Sequence, residues 1–98
     1  MYVKPEKEER FLEVITQNVS TMKNEEPETR VYAFWRTRNP LEYVLIESFL
    51  TKEAFDYHVD RHLHTQKEFA TFFSRPPETS VLGDFVVGWP DVGTLPLE

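Results

Sequence analysis

Cysteine is absent from this 98-residue chain, which removes disulfides, iron–sulfur clusters, thiolate zinc sites and cysteine nucleophiles, and fits a reducing compartment. Positive charge is in short supply. Eleven Lys and Arg against seventeen Asp and Glu leave a formal charge of −6, the wrong sign for a protein whose partner is a nucleic-acid backbone. No apolar run approaches the length of a membrane span, and the opening residues, MYVKPEKEER, contain no signal-peptide core. Repeats, low-complexity tracts and an internal domain boundary are also missing. These absences together describe a soluble cytoplasmic protein with neither membrane nor nucleic acid as a partner.

Apolar and aromatic side chains are plentiful. Hydrophobic residues make up 40 % of the chain and aromatics 14 %, enough for one core, since a chain of this length buries about two-thirds of its unfolded surface. A single domain over residues 1–98 is expected, with an irregular tail from about residue 89 holding Pro90, Gly93 and Pro96.

The stretch from Tyr43 to His58, YVLIESFLTKEAFDYH, organises the rest. Its first half is β-branched and aromatic apart from Glu47, and reads as a strand buried on both faces. Thr51 then offers a side-chain oxygen to the first free amides of a helix beginning near Lys52. Strand and helix thereby carry Glu47 and His58 toward one cavity.

Before this stretch, residues 1–4 read as the tail of a strand stopped by Pro5. Phe11, Leu12, Ile15, Val19 and Met22 recur at spacings of three and four, predicting an amphipathic helix over 6–23. A polar turn with Pro27 leads to a strand over 30–37, with Val31, Ala33 and Trp35 on one face and Tyr32 and Phe34 on the other. Asn39-Pro40 is short enough to make the flanking strands an antiparallel hairpin. After the second helix, expected to reach about residue 60, a helical stretch over 65–73 carries Phe69, Phe72 and Phe73, and Arg75-Pro76-Pro77 ends it. Residues 80–88 alternate as a last strand.

The order strand, helix, hairpin, helix, strand is the α+β, ferredoxin-like βαββαβ sandwich, here with a truncated first strand. Three strands apolar on both faces exceed what the helices of one chain cover. A second copy related by a two-fold axis is the economical cover, so a homodimer with stacked sheets is expected.

At these residues the sequence resembles the antibiotic biosynthesis monooxygenase-like family of dimeric α+β barrels. The resemblance is carried by Val3-Lys4-Pro5 with Glu6 and Lys7, Glu26-Pro27 before a strand holding Tyr32, Asn39-Pro40, Tyr43-Val44-Leu45-Ile46-Glu47 followed by Phe49, and Ala54-Phe55 leading to His58. The chain departs from the family pattern at Glu28, where a glycine is common, at Phe49, where a tryptophan is common, and in its short first strand. The resemblance implies a cofactor-independent monooxygenase-like tailoring enzyme. Its substrate would be an aromatic small molecule of polyketide or quinol type, which loses a proton to a base and then reduces molecular oxygen. It also admits a non-catalytic dimeric protein that binds a hydrophobic ligand, and a non-oxidative decarboxylase or cyclase. The haem-degrading branch is disfavoured, because its asparagine and tryptophan positions are not matched.

His58 is the candidate base, an imidazole titrating near neutrality; the plainer account makes it a helix residue capping a carbonyl or packing at the dimer edge. Glu47, set among apolar neighbours, needs a partner, and is either catalytic or part of a structural ion pair. Tyr32, Trp35, Phe49, His62, Phe69 and Phe73 are the candidate substrate-holding residues, although Tyr32 and Trp35 occupy opposite faces of their strand. Asn18 and Arg36 stand out in no way. His58, His62 and His64 raise the question of a metal, but His64 points away if the helix continues, and two histidines do not make a zinc site. No metal and no cofactor are expected.

Overall fold

A computed structural model describes residues 1–63, 66–83 and 87. After a 3₁₀ turn over Pro5–Lys7, helix α1 spans Glu8–Glu25, strands β1 and β2 span Thr29–Arg36 and Tyr43–Phe49, helix α2 spans Lys52–Leu63, and a short helix α3 spans Gln66–Ala70. The result is a small α+β structure: two antiparallel strands in one sheet, with helices.

The helices start and stop where side-chain chemistry dictates. Pro5 opens the 3₁₀ turn with its fixed φ. At α2 the Thr51 hydroxyl accepts from the Ala54 amide at 3.0 Å, the cap expected from the sequence. The Glu26 amide closes α1 by donating to the Met22 carbonyl at 2.9 Å, and Pro27, which has no amide to give, follows at once.

The hairpin pairs Tyr32 with Glu47, Phe34 with Leu45 and Trp35 with Val44, with an irregularity between Thr29 and Val31. Its turn contains Leu41 at φ 69°, a left-handed conformation costly for a side chain branched beyond Cβ. That conformation accompanies a long-range bond, the Leu41 carbonyl accepting from the Val3 amide at 2.8 Å.

Residues 1–4 do more than a strand tail would. The Tyr43 amide donates to the Met1 carbonyl at 2.8 Å, the Lys4 amide to the Phe72 carbonyl at 2.7 Å and the Ser74 amide to the Tyr2 carbonyl at 2.9 Å. Tyr2 bridges Glu42 and Val3 bridges Phe73, both antiparallel, so this short segment is held on two sides. The expected last strand is not seen among the described residues of 80–88, which run as coil with Val81, Leu82 and Val87 exposed; Asp84, Phe85, Val86 and Gly88 lie outside the described residues, as does the tail from residue 89.

The core gathers Val3, Phe11, Ile15, Tyr43, Phe72 and Phe73. Phe11 is fully enclosed, with Tyr43 at 4.9 Å, Phe69 at 5.9 Å, Phe72 and Phe73 at 6.1 Å and Phe34 at 6.2 Å between ring centroids. Nothing among the described residues covers the other sheet face, where Trp35, Val44 and Ile46 are 52 %, 44 % and 50 % exposed.

Near the hairpin turn, the Glu42 carboxylate accepts from the Thr37 hydroxyl at 2.6 Å and the Asn39 amide at 3.0 Å. Bonds from Thr37, then Tyr2, then Asn39 pull its pKa down to about 2. The unfolded value is about 4.3, so the stabilisation is complete above that pH and is lost as pH falls toward 2. Glu42→Gln is therefore expected to be less stable than the native chain near neutrality, and the gap should close in urea melts taken from about pH 5 downward. A gap that stays constant with pH would rule this out.

Candidate active site

One buried carboxylate and two histidines meet where the C-terminal end of α1 passes beneath α2. The termination of α1 places Glu26 there, and its side chain is 2 % exposed. His58, one turn before His62 on α2, directs Nδ1 to Glu26 Oε1 at 3.0 Å. Its Nε2 lies 3.0 Å from Oε1 of Glu47, which comes from the facing strand. The Thr29 hydroxyl adds a third fixed contact by donating to Glu26 Oε1 at 3.1 Å. His58 is thus held at both nitrogens between two carboxylates, one deeply buried and one 30 % exposed.

Aromatic rings fix the imidazole plane. Phe49 lies 5.0 Å, Tyr32 5.6 Å and His62 4.2 Å from His58 between centroids. The electrostatics split the two histidines. Burial alone depresses His58, but its bonds to Glu47 and Glu26 prevail and its pKa is raised. Burial and then the charge of His58 lower His62, with Glu26 opposing. Tyr32 is raised by burial first and by Glu47 and Glu26 after it, so its phenol stays protonated.

A cavity of about 300 Å³ opens on this group, with Tyr32, Leu45, Glu47, His58, His62 and Phe69 in its wall. That volume is at the lower end for a small-molecule pocket. Asn18, unremarkable in the sequence, is also in the wall. Of the other residues expected to hold substrate, Phe49 backs His58, Trp35 is on the exposed opposite face of β1, and Phe73 is in the core against Phe11. The strand period decides between Tyr32 and Trp35: Tyr32 stands opposite Glu47 in the register and its ring meets His58, so Trp35, an odd number of residues away, faces outward.

Sequence reasoning missed Glu26. Four residues of the polar turn, Asn24, Glu25, Glu26 and Glu28, offer similar carboxylates and amides, and no chemistry of its own separates Glu26 from Glu25 or Glu28. The only signal was its position between the last helical turn and a proline. Arg36 was also overlooked; it donates to the Tyr43 hydroxyl at 2.8 Å, which donates to Glu8 at 2.7 Å, a tie away from the cavity.

A third donor also changes the metal question. Glu26, His58 and His62 offer ligand atoms within 4.8 Å of one another, whereas His64 lies outside the described residues.

The family model described as antibiotic biosynthesis monooxygenase matches residues 1–70, a span that includes Glu26, Tyr32, Glu47, His58 and His62. The chain belongs to this family. Antibiotic biosynthesis monooxygenase domains are generally monooxygenase-like, and the helices and antiparallel hairpin seen here are consistent with their ferredoxin-like fold. No curated protein and no solved structure matches the chain significantly. Among the described residues no helix is long and apolar enough to cross a membrane.

Proposed function

We propose that the protein is a cofactor-independent monooxygenase-like enzyme acting on an aromatic small molecule of polyketide or quinol type. The observation that carries this reading is a buried histidine, fixed at Nδ1 by Glu26, whose Nε2 faces a ring-lined cavity with Glu47. A carboxylate at Nδ1 fixes the tautomer and orientation of an imidazole and strengthens the other nitrogen as a base. Between two carboxylates the resting ring donates from both nitrogens; Glu47 accepts the Nε2 proton when substrate enters, which frees Nε2 to take the substrate's proton, and it stays beside the imidazolium so formed. Tyr32 and Phe69 flank the ring, and the Tyr32 phenol donates to the developing oxyanion.

For an anthrone the balance is closed. The base removes a proton from the ring carbon, the resulting anion passes electrons to oxygen and combines with it, and the peroxide loses water. One oxygen atom becomes the new carbonyl and the other leaves in water with the two hydrogens of that carbon. No other oxidant is needed.

The test is oxygen uptake with an anthrone or hydroquinone in the presence of chelator. Uptake matched by one quinone per oxygen supports the reading. Equal turnover without oxygen would identify a decarboxylase or cyclase, and ligand affinity with no turnover a binding protein.

The bare sheet face belongs to the same proposal. Trp35, Val44 and Ile46 lie side by side on this face, each about half exposed, and we assign a second copy to it, making the working unit a homodimer. The native chain should sediment as a dimer at micromolar concentration and Ile46→Glu, which sets a charge in the middle of that face, as a monomer. A monomeric native chain would refute the assignment.

A further inference from the structure

We propose that Glu26, His58 and His62 form a binding site for one divalent transition-metal ion of the zinc type, with Glu47 as the outer carboxylate that orients His58. Four observations lead to it. Glu26, His58 and His62 present donor atoms within 4.8 Å of one another. Four donors around zinc stand about 3.3 Å apart, given bonds of about 2.0–2.1 Å, so the widest pair needs to draw in by roughly 1.5 Å. His58 and His62 are one helical turn apart on α2, and their rings lie 4.2 Å from each other, the spacing by which a helix offers two imidazoles to one ion.

The third observation is an oxygen without a hydrogen bond. Glu26 Oε2 is buried and has no hydrogen-bond partner among the described residues. His62 Nε2 is 3.6 Å from it and Arg61 Nε 3.9 Å, both too far for a bond, and the Arg61 guanidinium is also paired with Glu25. A buried carboxylate oxygen in this condition calls for a cation or an ordered water. The fourth is the bond from His58 Nε2 to Glu47. With Nδ1 on the ion, this becomes the carboxylate–histidine–metal relation that sets tautomer and basicity in metal sites.

Two nitrogens and one carboxylate select for a first-row transition ion and against calcium and magnesium, which prefer oxygen throughout. Because two of the three ligands also line the 300 Å³ cavity, an open coordination position would face it. The site stands on this geometry and not on the proposed reaction; with Nδ1 on the ion and Nε2 on Glu47, His58 has no free nitrogen, so the loaded chain is a form in which it is not the base. Its failure and the failure of the oxygenase reading are separable, because metal binding is read without turnover.

The experiment uses the tag-free full chain, stripped with chelator and titrated with Co²⁺ while visible d–d absorption is followed. Saturation at one Co²⁺ per chain with tetrahedral or five-coordinate bands, displaced by Zn²⁺, is expected. Glu26→Gln and His62→Ala should each weaken binding at least tenfold, and Glu47→Gln about 10–100-fold, as outer-sphere partners do. Circular dichroism identifies the folded variants. If Glu26→Gln does not fold, His62→Ala and Glu47→Gln carry the comparison, since both residues are on the cavity wall. Absence of d–d bands at millimolar Co²⁺ with the folded native chain, or unchanged affinity in the folded variants, overturns the site.

Discussion

Replacing His58 with alanine is expected to lower kcat on an anthrone or hydroquinone by about 10²–10⁴-fold, the usual worth of a positioned base, with much less change in KM. The imbalance follows from where His58 sits. The rings proposed to hold a flat substrate, Tyr32 and Phe69, are on other elements and stay in the cavity wall, whereas the proposed base is gone. Steady-state oxygen uptake gives both constants. Glu26→Gln is the companion variant. It keeps the shape but trades the negative charge at Nδ1 for a neutral amide, so it should lower kcat by less than His58→Ala and leave KM in place. If His58→Ala loses affinity and keeps kcat, the histidine holds substrate and the base is elsewhere. The alanine variant also strands the buried Glu26 without its 3.0 Å partner, at about 1–3 kcal/mol of stability, so its melting curve must be taken alongside.

Phe11→Ala should be the most damaging single change to the fold, at about 3–5 kcal/mol. The side chain is 0 % exposed and touches rings from β1, β2 and the segment after α3. The walls therefore come from elements that cannot all move inward together. Against a total stability of about 5–15 kcal/mol for a domain, the loss threatens folding at ambient temperature. Urea unfolding of Phe11→Leu, which retains most of the volume, should show less than half the loss. A cost under about 1 kcal/mol for Phe11→Ala would mean that the core collapses into the space, contrary to the rigid ring cluster described here.

Much of the fold was legible where a period or a cap controls the outcome. The three- and four-residue spacing of Phe11, Leu12, Ile15, Val19 and Met22 marked α1 within two residues at each end, and Thr51 marked the start of α2. Strand alternation correctly separated Tyr32 from Trp35 but gave no reason to choose which faced inward; only packing against α2 decides that. Glu47 and His58 were expected at one cavity, and their contact is there. Glu26 was invisible because its role depends on how the end of one helix passes beneath another, a long-range fact that a run of five polar residues does not encode. Alternation in Ser80 to Val87 is likewise a local signal, and the described residues of that stretch, 80–83 and 87, run as coil, since a period of two sets which faces side chains take but not whether the backbone finds an edge to pair with.

Leu41 shows the same competition within a single residue. Taken alone, a hairpin with leucine at φ 69° works against its own local preference by about 1–2 kcal/mol. What holds the backbone there is the amide of Val3, thirty-eight positions earlier in the chain, bonded to the Leu41 carbonyl. The two strands are consequently poor candidates for an autonomous nucleus. Their tight bend depends for its final shape on the opening residues, so removing the first three residues would free Leu41 to leave the left-handed conformation.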